Sequence, residues 1–240
     1  MNQIICPLSY IPIRKEANHK TEQISQLLFG ETASIEETSD EWLYINTTFD
    51  SYKGWVEKKC VQYTSSQNEF TVIKGFSRLV RLNGESLWLS SGSELNSELI
   101  DKQSATVVTI NRELNSASVI ELALQFIGTP YLWGGRSFMG IDCSGFVQVI
   151  FKALNIKLPR DASQQVDLGT AIQFPSDAQV GDLAFFDDEE AAITHVGIIM
   201  GEGKIIHASG SVRIDSLDHQ GIFNSELNKY THKLRVIKRL

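Results

Sequence analysis

Residues 131–151 read YLWGGRSFMGIDCSGFVQVIF, and this stretch decides how the rest of the chain is read. A glycine-rich loop with Gly134, Gly135 and Gly140 leads into Asp142-Cys143-Ser144-Gly145. Phe146, Val147, Ile150, Phe151 and Leu154 then recur at helical spacing, which predicts a buried helix opening at Cys143. A helix N-terminus favours negative charge, so it lowers the pKa of a thiol placed there. Its unpaired N–H groups can also hold an oxyanion. A small hydrophobe packed at a helix start would look the same, so a nucleophilic reading of Cys143 requires a base elsewhere.

Residues 194–210, THVGIIMGEGKIIHASG, supply one. Gly201-Glu202-Gly203 between two apolar runs predicts a hairpin. Paired residues in an antiparallel hairpin have a constant sum, here about 402 to 404 for a turn near residue 202. An even sum puts His195 and His207 on one face, and an odd sum separates them. Cys143, His195 and His207 then fit the logic of a thiol, its base, and a third group that orients the base. His19, His219 and His232 have no comparable context and are expected at the surface. A cysteine and two histidines could instead hold zinc with an open position. The apolar helix after Cys143 and the lack of a carboxylate-rich surround argue against that, so neither metal nor cofactor is expected.

The 240 residues allow one large domain or two modest ones. The chain is 42% hydrophobic and 21% charged, as in ordinary globular proteins. Its net charge of −7 argues against nucleic acid or an anionic membrane as partner. Cys6, Cys60 and Cys143 form no C-x-x-C pair, so neither a disulfide framework nor a thiolate zinc site is predicted. The first residues, MNQIICPLSYIPIR, carry no readable export signal, and no apolar run is long enough to span a bilayer. A cytoplasmic, monomeric protein is expected.

Residues 1–65 read as short strands separated by polar turns, a small β-barrel. Residues 21–29 are an extended or helical link in this reading. Residues 66–112 contain further strand-like runs at 70–73, 78–82, 86–89 and 106–110, with 90–104 as loop. They form a second reduced barrel or an extension of the first. From 113 onward, a helix over 119–127 with Ile120, Ala123, Leu124 and Ile127 on one face precedes the Cys143 helix, and antiparallel strands follow. Helices first and a sheet after is an α+β order.

YLWGGRSFMGIDCSGF, LPRDASQQ (158–165), VGDLAFF (180–186), HVGIIMG and IIHASG together resemble the NlpC-type cysteine peptidases of bacteria. LLFGE and YKGWV in the first 65 residues resemble the bacterial SH3-like domains that accompany them. The resemblance implies a papain-like α+β catalytic domain preceded by one or two small SH3-like β-barrels. It implies hydrolysis of the bond between γ-D-glutamate and a diamino acid, either meso-diaminopimelate or L-lysine, in cell-wall peptides. Cys143 would be the nucleophile, His195 the base and His207 the orienting residue, with Tyr131 supporting the oxyanion. Arg160 and Ser144 would bind the free carboxylate of D-glutamate, and Asp161 would orient Arg160 or cap the next helix. Glu31 and Tyr52 from the first barrel, with Asp142, would bind the free amine of an N-terminal L-alanine. Ala162 departs from relatives that carry a hydroxyl there. Short murein peptides in wall recycling are then the expected substrates. The alternatives are a secreted wall-remodelling hydrolase, a non-catalytic wall- or peptide-binding protein, and an acyltransferase using the same thiol.

Overall fold

Alternating apolar residues build the first sheet, and their buried side chains, among them Ile4, Ile11, Ile13, Leu27, Leu43, Ile45 and Val56, form its core. The computed structural model describes residues 2–65, 70–81, 83–96, 99–100, 105–109 and 118–240. Seven strands make this sheet: β1 Gln3–Ile5, β2 Tyr10–Arg14, β3 Gln23–Leu28, β4 Thr32–Thr38, β5 Trp42–Thr47, β6 Lys53–Glu57 and β7 Gln62–Thr64. Their order is β3-β2-β6-β5-β4-β1-β7. The segment left open as extended or helical is therefore a strand, β3, at the edge of the sheet facing the C-terminal half.

The middle segment holds β8 Phe70–Val72, β9 Ser77–Arg81, β10 Ser86–Leu89, β11 Glu94–Asn96 and β12 Ala105–Thr109. They form two small sheets, β10-β9-β12 and β11-β8. The strand β11 falls inside the stretch expected to be loop, because its backbone pairs with β8. Ile73, Leu79 and Leu89 pack with Phe29, which ties this segment to the first barrel.

The C-terminal half begins at α1 Val119–Leu124, with Ser118 and Glu121 forming a reciprocal capping box. Asn115-Ser116-Ala117-Ser118 reads as the start of this helix, and of these, residues 115–117 lie outside the described residues. Its buried face is Leu122, Ala123 and Phe126, while Leu124 and Ile127 are exposed. The expected face is thus rotated, because Phe126 packs edge-on against Phe146 of the next helix. A tiny hairpin, β13 Arg136–Ser137 and β14 Gly140–Ile141, leads into α2 Cys143–Ala153, all eleven residues of which are buried. The short α3 Ala162–Gln165 follows. Then come β15 Thr170–Ile172, β16 Leu183–Asp187, β17 Ile193–Gly201, β18 Lys204–Ser209, β19 Ser211–Leu217, β20 Gly221–Asn224 and β21 Lys229–Arg239.

These strands run in the order β15-β21-β16-β17-β18-β19-β20, and β20 also pairs with β21. Six of them therefore close into a barrel, where the sequence had indicated only an antiparallel sheet. Alternation along the strands divides their side chains. Leu183, Phe185, Val196, Ile198, Ile206 and Ala208 pack against α2. Ala184, Phe186, Ile199, Ile205 and Ile222 pack together on the other face. Among the described residues no helix is long and apolar enough to cross a membrane.

Candidate active site

Asp142 caps α2, its Oδ1 accepting the Gly145 N–H at 2.7 Å, and this puts Cys143 in the first helical turn. Gly145 is required for a close approach: a Cβ there would stand 2.2 Å from the carbonyl oxygen of Gly135. The Cys143 thiol, 6% exposed, points at the Thr194 carbonyl oxygen 3.9 Å away. Thr194 directly precedes His195, so the helix start and β17 meet at the reactive residues.

The hairpin has the even register. Gly197 faces His207 and Ile198 faces Ile206, a sum of 404. His195 is diagonal to His207 on the same face, and His195 Nε2 lies 2.8 Å from His207 Nδ1. Gly197 makes this contact possible, because a Cβ there would come within 2.9 Å of His207 Cβ. His207 Nε2 in turn lies 3.0 Å from Asp215 Oδ2, and Arg213 donates to both oxygens of that carboxylate.

These contacts assign the protons. Burial works against the Asp215 anion, but hydrogen bonds from His207 and Arg213 win and hold its pKa below the usual range. An ionised Asp215 can only accept, so His207 donates through Nε2 and accepts through Nδ1. His195 then donates through Nε2, which leaves its Nδ1 as the basic nitrogen.

Asp215 was missed in the sequence. Its only signal is an acid on β19, the strand that pairs with the one carrying His207. His232 was also misread. It is half-buried rather than a bare surface residue, stacked on His195 with ring centroids 4.0 Å apart and planes 24° from parallel. The pairing of β21 with β16 brings it there, a long-range contact that local context does not reveal.

Burial shifts both reacting groups toward neutrality. The Cys143 thiol is pushed up to about 12, first by desolvation and then by the Asp142 carboxylate, against Val196, Ser144 and Arg160. The expected lowering by the helix N-terminus is thus outweighed. His195 lies well below the usual histidine range, through desolvation and the proximity of His232 and His207. Both groups are therefore held in their neutral forms, thiol and imidazole.

His195, His207 and His232 offer three ring nitrogens within 4.8 Å of one another. In nearly parallel stacked rings the nitrogen lone pairs of His195 and His232 lie in two separate, nearly parallel planes. A metal ion would need His232 turned out of the stack and the His195–His207 hydrogen bond broken.

A cavity of about 460 Å³ opens over Cys143. Tyr131, Asp142, Ser144, Arg160 and Asp161 line it from the C-terminal half, and Glu22, Ile24 and Tyr52 line it from the first barrel. Tyr131 is half-buried, and desolvation and the nearby thiol raise its phenol pKa. Tyr52 donates its hydroxyl to Asp161 Oδ1 at 3.3 Å. Asp161 precedes α3 without a side-chain capping bond.

Two expected roles change in the folded protein. Arg160 does not present a free fork to the cavity. It is 2% exposed and engages both oxygens of Asp142, with further bonds to Ser144 Oγ at 2.9 Å and Ser25 Oγ at 3.2 Å. Desolvation lowers and the Asp142 anion raises its pKa, and the anion wins. Asp142 also accepts the Gly134 N–H, so the pair organises the cavity wall.

Glu31 does not line the cavity at all. It is 2% exposed and bonded by Arg136 at 2.8 and 2.9 Å and by Lys152 at 2.6 Å. Glu94 pairs with the same Lys152 at 2.7 Å. Two buried cations between the barrel and α2 draw Glu31 inward. The barrel acid that does face the cavity is Glu22, whose Oε1 accepts the Trp133 indole N–H at 2.6 Å. Nothing in its local sequence marked it out.

Residues 128–231 match the NlpC/P60 family, and residues 13–60 match the bacterial dipeptidyl-peptidase SH3 domain. A γ-D-glutamyl-L-lysine dipeptidyl-peptidase of Bacillus subtilis strain 168 is 32% identical over 212 residues, covering 77% of this chain and 71% of that protein. The protein of the same description in Bacillus cereus ATCC 10987 is 39% identical over 108 residues, 43% of this chain and 32% of its own length. The crystal structure of an NlpC/P60 family protein from Bacillus cereus ATCC 10987 superposes over 99% of both chains with a TM-score of 0.80 at 20% identity, which shows a shared fold.

Proposed function

The chain belongs to the NlpC/P60 family of cysteine peptidases, and from that premise we propose that it releases L-Ala-γ-D-Glu from short cell-wall peptides by cutting the γ-D-glutamyl bond to a diamino acid. The observation that carries this reading is the barrel wall of the cavity, where Glu22 and Tyr52 line the same space as Cys143. A wall on that side limits how much peptide can precede the scissile bond. An acid within it suits a free N-terminal ammonium. Asp142 is committed to Arg160 and Asp161 accepts the Tyr52 hydroxyl, so Glu22, approached only loosely by Lys15 at 3.7 Å, supplies the accessible negative charge. Ser144 offers its hydroxyl to the D-glutamate carboxylate, and Arg160 contributes its positive field from behind.

In this mechanism Nδ1 of His195 takes the thiol proton as Cys143 Sγ attacks the γ-carbonyl carbon. N–H groups at the start of α2 are the donors for the oxyanion. The C–N bond then breaks, and the leaving amine takes the proton from His195, leaving a thioester on Cys143. Water attacks the thioester, His195 accepts its proton and returns it to the thiolate, and L-Ala-γ-D-Glu departs as the free acid. His207 and Asp215 hold the His195 tautomer through both halves.

A cavity limited to short free-amine peptides suits a cytoplasmic enzyme of peptide recycling better than one acting on intact wall. The test is mass spectrometry of L-Ala-γ-D-Glu-meso-diaminopimelate and its N-acetylated form after incubation with the protein. Cleavage of the free peptide alone supports the reading. Equal cleavage of both overturns the amine-reading role and favours wall remodelling.

A further inference from the structure

A second cleft, of about 840 Å³, is lined from the C-terminal half by residues of β16, β17 and β21 and the loops beside them, among them Asp187, Thr194, His232, Lys233 and Arg235. Thr194 lines both it and the Cys143 cavity, and His232, stacked on His195, lines the second cleft. In acyl transfer to a thiol, the departing amine must receive the proton held by His195. The departing residue therefore lies on the His195 side of the scissile bond, which is where this cleft begins.

Its charges are arranged in an unusual way. Asp187 ends β16, with its side chain 2% exposed, and its Oδ2 lies 3.8 Å from Nε of Arg235, whose side chain is 61% exposed. The other carboxylate oxygen, Oδ1, is buried and has no hydrogen-bond partner among the described residues. A buried carboxylate oxygen without a donor is costly, so such atoms call for an explanation. A loose pair between a buried carboxylate and an exposed guanidinium can separate around a ligand that carries both charges.

We propose that this cleft is the leaving-group subsite and that Asp187 and Arg235 select a zwitterionic diamino acid, Asp187 receiving its side-chain ammonium and Arg235 its carboxylate. The proposal rests on the γ-D-glutamyl peptidase reading above. An apolar leaving residue would satisfy Arg235 and leave Asp187 unpaired. A diamino acid satisfies both. Lys233, which pairs with Asp187 across β16 and β21 and lines the same cleft, adds a second cation for a further carboxylate.

The test uses three substrates with the same acyl half, L-Ala-γ-D-Glu, joined to L-lysine, to L-norleucine, or to aminomethylcoumarin. The wild-type protein is expected to cleave the lysine peptide with kcat/KM at least about tenfold above the norleucine peptide, mainly through KM. Asp187→Asn should bring the two within about threefold of each other. Arg235→Gln, at an exposed position that folding tolerates, should lower both peptides about equally, and lysinamide in place of lysine should reproduce its effect on wild type. Coumarin release with no preference for lysine over norleucine would overturn the subsite and leave the peptidase reading standing. Failure of the wild type to cleave any of the three would overturn the peptidase reading, and the subsite with it. A retained lysine preference in a folded Asp187→Asn protein would also sink the proposal.

Discussion

His195 Nε2 and His207 Nδ1 stand 2.8 Å apart, diagonal to each other across a hairpin whose register places Gly197 directly opposite His207. This single contact sets which nitrogen of His195 is basic, because Asp215 on the far side of His207 can only accept. The proton order runs from a carboxylate on β19 through His207 to His195.

Replacing Asp215 with Asn removes the acceptor that holds His207 Nε2–H and lets the relay adopt the opposite tautomer. A fall in kcat of about 10²-fold or more is expected, with KM little changed. Steady-state kinetics on the free tripeptide check this. An unchanged kcat would mean that His207 is oriented by something else.

Gly197→Ala tests the register contact itself. The added Cβ would meet Ile205 Cδ1 at 2.7 Å and His207 Cβ at 2.9 Å, so His207 must shift from His195. The expected result is a loss of activity of roughly 10²-fold, alongside a destabilisation of about 1–3 kcal/mol from overpacking. Thermal melting separates the two effects.

The dependence of rate on pH follows from the direction of the shifts. His195 must be neutral to accept the thiol proton, and its pKa is depressed below 6.5 by burial and its two histidine neighbours. Protonation therefore removes activity only on the acid side, with the falling limb of kcat/KM below pH 6.5. Cys143, raised to about 12, gives no limb between pH 7 and 9. The thiol and imidazole titrate as a pair, so the limb belongs to both. A half-maximal point at pH 7 or above would contradict this.

Glu22→Gln should raise KM for the free-amine tripeptide about tenfold while leaving kcat within a few fold, because it removes charge from the site of the ammonium. Tyr52→Phe, which removes the hydroxyl bonded to Asp161, should act in the same direction. The N-acetylated peptide, which the wild type is expected to leave uncut, completes the comparison, since Glu22→Gln should narrow the gap between the two peptides.

Glu31 is a matter of stability rather than binding. Burial would raise its pKa, but Arg136 and Lys152 hold it down to about 2. A carboxylate depressed on folding contributes stability that is full above its unfolded pKa, near 4.5, and is lost as pH falls toward 2. Glu31→Gln leaves two buried cations short of charge, and a loss of about 3–5 kcal/mol is expected at pH 7. Chemical denaturation at pH 7 and at pH 3 checks the sign, because the gap between wild type and variant should narrow at the lower pH.

Much of this protein is legible in its sequence. Apolar spacing after Cys143 announced α2, Gly201-Glu202-Gly203 announced the hairpin, and the parity of 195 and 207 put both histidines on one face. These are local periodicities, set by 3.6 residues per helical turn and two per strand repeat. The partners brought in from afar were decided only by tertiary structure. His232 reaches His195 through the pairing of β21 with β16, and Glu22 reaches the cavity because β3 docks against the C-terminal half, whereas Asp215 comes from the neighbouring hairpin strand only eight residues after His207. Burial then reversed two chemical expectations, raising the Cys143 thiol and drawing Glu31 into an ion cluster, since desolvation depends on everything packed around a group and local sequence carries no record of it.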